Sequence, residues 1–212
     1  MRRTDDTARD ELEAEVKALC DRGDHAAATT LAVRGFGPEI LGFLVATHRS
    51  DQDAGEVFSA VAEGLWRNLP RFGWDSTLRT WIYAIARNVS LTHRRDAGRR
   101  ARRGDRPGGA SQLEDVAVAV RTETLAFLRT EKRTRLVALR DALEPDDRAL
   151  LILRVDRKLA WSDIARVLAG AEAPLEAAAL LREAARLRKR FQLVKEQLHA
   201  AARREGLLGG DD

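Results

Sequence analysis

Aromatic residues make up only 5% of this chain, yet five of them lie between residues 66 and 83: Trp66, Phe72, Trp74, Trp81 and Tyr83. An arginine-rich stretch follows directly. Aromatic rings stack on unpaired bases, and arginines hold phosphates. This grouping predicts a surface that binds single-stranded nucleic acid. A buried core followed by a solvated tail is the alternative.

Helical spacing separates the roles of these rings. Trp66 continues the apolar face of the helix before it, so we expect it in the core. Trp81 shares a face with Leu78 and Ile85, and both the core and the base-stacking interpretation are open for it. Tyr83 lies off that face and fits neither role well.

Positive charge is concentrated in two blocks, although the net charge of the chain is only +4. Residues 87–106 hold eight arginines against two acids, a net +6, and residues 182–204 hold eight basic residues against two acids, again +6. Two separated basic blocks predict a polyanion bound at two places. Solvated helix faces and a basic linker are the alternative.

The composition excludes several classes of protein. Cys20 is the single cysteine, so an intramolecular disulfide is impossible. No apolar run approaches the roughly 18 residues of a membrane span. The charged N-terminus lacks the apolar centre of a signal peptide, so we expect a cytoplasmic protein without membrane contact. The spacing of the four histidines from Cys20 and from one another fits no metal-binding motif, and the chain has no phosphate-binding G-x-x-x-x-G-K motif, which predicts no metal site, no cofactor and no enzymatic activity.

The stretch AGRRARRGDRPGGASQ (97–112) combines Gly, Pro, Ser and Arg without apolar periodicity. It predicts a flexible basic linker between two small all-α domains, residues 1–96 and 113–212. In the first domain we predict helices over about 8–22 and 24–34, a third from near Pro38, a fourth after Ser50-Asp51, and a fifth over about 77–95. Ser76 or Thr77 should cap the fifth.

In the second domain, periodicity predicts helices over 113–128 and 131–143, and Pro145 should open the next. Residues 148–159 and 161–170 then form a helix-turn-helix pattern. Ala160 stands at the N-cap of its second helix, and Ser162 is the candidate replacement cap one turn later.

A basic helix over 185–198 follows, after an insertion at about 171–184 that extends it or forms a short extra helix. Its apolar residues recur four and three apart in a single seam, from Leu180 to Ala201. A plain amphipathic helix used for dimerisation is the alternative.

Three segments together resemble a known family. DQDAGEVFSAVAEGLWRNLPRFGWDSTLRTWIYAIARN (51–88) carries the most specific motifs, which are LPRF, LRTW and IARN. LEPDDRALLILRVDRKLAWSDIARVLAG (143–170) and RGDHAAATTLAVRGFGPEILGFL (22–44) extend the likeness. The chain resembles bacterial RNA polymerase sigma factors of the extracytoplasmic-function type, which keep only regions 2 and 4.

The resemblance implies a promoter-recognition subunit for transcription initiation. Region 2 would bind core polymerase and melt the −10 element, and region 4 would read the −35 element. The implied −10 residues are Phe72, Trp74, Asp75, Ser76, Thr77, Arg79, Trp81, Arg87, Asn88, Arg94 and Arg95. The implied −35 residues are Arg186, Arg188, Lys189, Arg190 and Lys195.

The implied protein partners are the β′ clamp helices and β flap of core RNA polymerase, with an anti-sigma factor as a further partner. Asp53, Glu56, Ser59 and Ala60 form the implied polymerase contact, although the family has a Gln-Glu pair where this chain has Ser59 and Ala60. Two other functions fit the same residues. One is a helix-turn-helix regulator that binds duplex DNA as a dimer without polymerase, and the other is a sigma-like decoy that binds proteins.

Overall fold

The computed structural model describes residues 2–100, 112–130, 135–170 and 175–205, and these form helices without any strand. This confirms the all-α fold class. The helices are α1 (Arg2–Asp21), α2 (His25–His48), α3 (Asp51–Asn68), α4 (Leu78–Arg100), α5 (Gln112–Thr130), α6 (Arg135–Asp141), α7 (Pro145–Leu151), α8 (Trp161–Ala169) and α9 (Ala177–Arg204). A 3₁₀ turn (Leu69–Arg71) precedes the aromatic loop, and a π-helical segment (Ile152–Asp156) continues α7. No helix within the described ranges combines the length and the hydropathy that a bilayer span requires.

Helix α2 lies at the centre of the molecule. It packs against α1, α3, α4, α5 and α7. Its own large side chains include Phe36, Ile40, Phe43 and Leu44, which are at most 2% exposed. A helix that is apolar on all sides gains stability only when neighbours cover all of it. The apolar composition of residues 25–48 therefore explains the central position.

The predicted break at Pro38 is wrong, because α2 runs through it. A proline in a helix interior removes one hydrogen bond and costs about 3 kcal/mol. Phe36 and Ile40, on either side of Pro38, are both buried in the same core. Burying such side chains contributes roughly 1.5–3 kcal/mol each, so packing across the proline outweighs the local cost.

Local signals set the ends of α3 and α4. The Ser50 hydroxyl accepts a hydrogen bond from the Asp53 N–H, which confirms the predicted start of α3. The Thr77 hydroxyl accepts from the Thr80 N–H at 3.1 Å, so Thr77 is the cap of α4. Between the two helices, the 3₁₀ turn and residues 72–77 form the loop that carries Phe72 and Trp74.

Helix α5 packs across α2 and α3. A Cβ added at Gly37 would lie 2.9 Å from the Val120 side chain, and one at Gly55 would lie 2.9 Å from Arg121. Both glycines therefore permit the close approach of α5. Helix α4 extends to Arg100 and α5 begins at Gln112, so the ends of the predicted linker are helical. Residues 101–111, its arginine-rich centre, lie outside the described residues.

Helices α6–α9 form a second layer. Pro145 occupies the first turn of α7, as predicted. Ala184, Leu187 and Val194 are at most 6% exposed in the seam of α9, which packs on α6, α7 and α8. Other helices of the same chain therefore cover the apolar seam of α9. The insertion extends the basic helix from Ala177, while residues 171–174 lie outside the described part.

Both halves of the chain contribute to one continuous hydrophobic core. It contains Val16 of α1, the buried faces of α2–α5, and residues of α7–α9 up to Leu187. Helix α8 packs directly on α4, and Arg148 of α7 donates a hydrogen bond to the Thr47 carbonyl of α2. The division into two domains stays a prediction, and the halves pack closely.

Adding a cap to α8 should stabilise the protein. Ala160 is the N-cap, with extended backbone and no side-chain hydrogen bond, and Ser162 lies inside the first turn, so the predicted replacement cap is wrong. We expect Ala160→Ser to raise the free energy of unfolding by about 0.5–1 kcal/mol in urea titrations. Ser162→Ala should change it little, and a loss of about 1 kcal/mol in that control would show that Ser162 is the cap.

Candidate nucleic-acid interface

Three aromatic rings form a cluster where the loop before α4 meets the helix. Phe72 stacks on Trp81, with centroids 4.4 Å apart and planes 18° apart. The Trp74 ring is tilted against Phe72, with centroids 4.8 Å apart and planes at 48°. All three are half-buried, so each packs on the core and keeps part of its surface accessible. Trp81 therefore packs on the core, as one interpretation predicted, and base stacking by its accessible part stays a prediction.

The loop holds Trp74 in an unusual conformation. Its φ is +58°, in the left-handed region that bulky residues rarely adopt. Asp75 is exposed beside it, and the Ser76 hydroxyl donates to the Thr77 carbonyl at 3.3 Å. Such strained residues occur often at functional sites, where the surrounding structure maintains them.

Helix α1 covers one side of this aromatic cluster. Glu13 accepts a hydrogen bond from the Leu78 N–H at 2.9 Å, at the N-terminus of α4. Burial raises the pKa of Glu13, and its backbone hydrogen bonds oppose that shift. Lys17 places its ammonium 5.5 Å from the centre of the Trp74 ring. A helix that the sequence left without a role thus orients the loop.

The predicted DNA contacts Arg79 and Arg87 are bonded within the chain. Arg79 forms a bidentate ion pair with Glu39 at 2.7 and 3.1 Å, and donates to the Arg157 carbonyl at 3.1 Å. The Glu39 hydrogen bond raises the pKa of Arg79, although burial opposes the shift. Arg87 pairs with Asp146 of α7 at 3.1 Å. Both arginines therefore help to hold the two halves together.

The other predicted residues of α4 differ in accessibility. A Cβ on Gly170, whose φ is +101°, would lie 2.8 Å from the side-chain oxygen Oδ1 of Asn88, so Asn88 borders the end of α8. Arg94 donates to the Thr47 carbonyl at 3.5 Å, and burial lowers its pKa. Arg95 is exposed. Of these three, Arg95 is the most accessible to a phosphate.

The predicted −35 residues line α9. Arg186 is exposed and pairs with Glu183, and Arg190 pairs with Asp147 of α7. Arg188 lies 6.0 Å from the centre of the Trp161 ring, and Lys195 lies 5.5 Å from that of Phe191. Lys189 is exposed. Arg186 and Lys189, one turn apart, thus face away from the seam.

The α3 residues predicted to contact polymerase share a largely accessible face. Ala60 and Glu56 are exposed, Asp53 is half-buried, and the Ser59 hydroxyl donates to the Gly55 carbonyl. His93 of α4 approaches the Asp53 and Glu56 carboxylates, and the His48 and His93 rings meet edge to face at 5.6 Å. The sequence missed this grouping, because His48 and His93 are 45 positions apart in sequence and only the packing of α2 against α4 brings them together.

Two aromatic residues differ from expectation. Trp66 is 45% exposed, so the prediction that it belongs to the core is wrong. Tyr83, which fitted neither role from sequence, is fully buried and packs edge-on against Phe43. Burial raises the pKa of the Tyr83 hydroxyl. Within residues 66–83, the aromatic cluster is therefore formed by Phe72, Trp74 and Trp81, and Trp66 takes no part in its ring contacts.

Helices that carry clustered aromatic rings and basic side chains are typical of nucleic-acid-binding proteins. Residues 32–100, roughly a third of the 212 residues, match the family model described as Sigma-70 region 2, so this segment is similar to region 2 of sigma-70 factors. That family is a non-enzymatic factor of transcription initiation, and sigma factors bind core RNA polymerase and promoter DNA. No curated protein and no solved structure matched the chain.

Proposed function

We propose that this protein is a sigma factor of the extracytoplasmic-function type, which directs core RNA polymerase to promoters. Its region 2 melts the −10 element, and its second half acts as region 4 and reads the −35 element. The aromatic cluster of Phe72, Trp74 and Trp81 carries this proposal, because it lies within the segment that matches region 2. The protein acts in the cytoplasm, and an anti-sigma factor is a candidate partner.

The cluster has the properties that strand capture requires. A base that leaves the duplex stack needs a π-face to stack on and polar groups near its edge. Trp74 offers a partly accessible ring, and Asp75 and Ser76 stand beside it. Arg95, farther along α4, is placed to contact a phosphate.

The orientation of α9 supports a reading role for its basic face. Leu187 and Val194 are buried against the neighbouring helices, so the helix is held firmly while Arg186 and Lys189 remain exposed. In this proposal α9 is the recognition helix that follows the helix-turn-helix pattern, and its basic segment from Arg186 meets the base edges. Because α9 begins at Ala177, Arg186 and Lys189 lie about three turns into the helix rather than in its first turns. The seam buried within the chain leaves less support for the dimeric regulator.

Contacts between the halves must change before DNA binds as proposed. Arg79 and Arg87 are paired with Glu39 and Asp146, so neither is available to a phosphate in this arrangement. Phosphate contacts dominate the affinity of such interfaces. We therefore propose that polymerase or promoter DNA replaces the Arg87–Asp146 bond and separates the two halves.

Binding to core polymerase tests the proposal directly. Ala60 is exposed on the α3 face, and Ala60→Arg should weaken co-purification with core RNA polymerase at least tenfold by steric and charge mismatch. Ala200→Arg, which adds the same side chain at an exposed site on α9, is the matched control and should leave it unchanged. If the unmodified chain does not bind core polymerase, the sigma-factor proposal fails and the decoy or regulator takes its place.

Single substitutions on α9 should divide into two kinds. If Arg186 reads a base, Arg186→Ala should weaken DNA binding by about 1–3 kcal/mol and relax the base preference at one position of the −35 element. If Lys189 binds a phosphate, Lys189→Ala should weaken binding to all DNA sequences equally and reduce the salt dependence of the affinity. Affinities of the polymerase complex across a set of −35 sequences at several salt concentrations measure both. Unchanged binding in both variants would move the reading helix elsewhere.

A further inference from the structure

A group of metal-binding side chains lies where α3 meets α4, outside the aromatic cluster. Asp53, Glu56 and His93 each offer one ligand atom, and these three atoms lie within 4.8 Å of one another. The group combines one imidazole nitrogen with two carboxylate oxygens from two helices. Such a set of donors is typical of transition-metal sites.

The packing around His93 orients its ring toward the carboxylates. The residue is 8% exposed, and its Nε2 lies 3.3 Å from Glu56 Oε2 and 3.9 Å from Asp53 Oδ1. The ring of His48 packs edge to face against it, and His48 is in turn within hydrogen-bond distance of the Ser90 hydroxyl, at 2.9 Å. The nitrogen donor is thus held in position by buried neighbours.

The two carboxylates come from one face of α3, because residues three apart lie one turn from each other. Their side chains are each 46% exposed, which leaves a solvent side for water ligands. Gln52 donates to Glu56 Oε1 at 3.1 Å, and this contact orients the carboxylate with Oε2 toward His93. The three donors thus surround one point at the edge of the helix pair.

We propose that Asp53, Glu56 and His93 bind one divalent transition-metal ion, with Zn²⁺ and Mn²⁺ as the ions to test. Bonds of about 2.0–2.2 Å to nitrogen and oxygen place neighbouring ligand atoms roughly 3–3.5 Å apart. The 3.3 Å pair already matches that spacing, and rotation of the half-exposed Asp53 side chain brings in the third donor. Mg²⁺ and Ca²⁺ prefer sites made entirely of oxygen, so they should bind more weakly.

Metal titration of the full chain tests the site without polymerase or DNA. All variants carry Cys20→Ser, which removes the half-exposed thiol as a competing ligand. Calorimetry with Zn²⁺ and with Mn²⁺, and the visible absorption of Co²⁺, should show one ion per chain. His93→Gln and Asp53→Asn should each weaken binding at least about tenfold, a loss that even outer-shell changes produce at metal sites.

Two controls separate this site from adventitious binding. Glu63→Gln, on an exposed turn of the same helix, and His199→Gln, exposed on α9, should leave metal affinity unchanged. Asp53 is half-exposed, so Asp53→Asn keeps the test valid if His93→Gln does not fold. Equal Zn²⁺ affinity in the parent and in Asp53→Asn would overturn the proposal. It would show that His93 and the two carboxylates contact one another without binding a metal ion. Because the free chain is titrated, failure here does not bear on the proposed function.

Discussion

Replacing Trp74 with alanine should slow open-complex formation at a promoter about tenfold or more, while binding to closed duplex changes little. Stacking contributes about 1–3 kcal/mol per base, and a factor of ten corresponds to about 1.4 kcal/mol. Trp74 packs against Phe72 and is half-buried. Its loss therefore removes the outer part of the cluster and leaves the Phe72–Trp81 stack.

Permanganate footprinting on linear and pre-melted promoters separates melting from binding. Trp66→Ala is the matched control, because Trp66 is 45% exposed and takes no part in the ring contacts of the cluster. A pre-melted template should restore most of the activity that Trp74→Ala loses. Full melting of linear DNA by a folded Trp74→Ala variant would exclude the base-stacking role.

Replacing Arg148 with methionine should lower the free energy of unfolding by about 3 kcal/mol or more, since each unsatisfied buried polar group costs roughly 1–3 kcal/mol. Arg148 is 3% exposed. Its guanidinium donates to four backbone carbonyls, those of Thr47, Arg140, Asp141 and Leu143, at 2.7–3.2 Å. Methionine fills much of the volume but offers no donor, so all four carbonyls lose the hydrogen bond from Arg148. The Thr47 and Arg140 carbonyls keep a second donor, from Arg94 and from the Leu143 N–H.

Urea unfolding measures this effect, with Arg140→Met as the control. Arg140 forms an accessible pair with Asp156, about 35% exposed, and such surface pairs contribute about 0–1 kcal/mol. The two variants make the same change in nearby positions and differ in burial. Equal destabilisation of the two would show that the buried carbonyl contacts do not hold α7 against α2 and against the chain at the end of α6.

Local signals could be predicted from the sequence because their contacts span few residues. Ser50 caps α3 through an N–H three positions away, and Thr77 caps α4 in the same way. Pro145 needs only its own ring geometry to open α7. These features follow from short stretches of chain and hold in the folded protein.

Features set by distant packing could not be predicted. Trp66 follows the buried Leu65, and a helix turns about 100° per residue, so Trp66 points to the edge of the apolar face. Pro38 was predicted to start a helix, but α2 continues through it because the residues on both sides are buried. The partners of Arg79 and Arg87 are 40 and 59 positions away, a separation that no local pattern encodes.

Run-off transcription with purified core RNA polymerase on a library of linear promoters tests the sigma-factor assignment most directly. A sigma factor should give transcripts that depend on this protein, start at defined positions, and share sequences at the −10 and −35 elements. A chain that binds duplex DNA or polymerase yet yields no such transcripts would contradict that assignment.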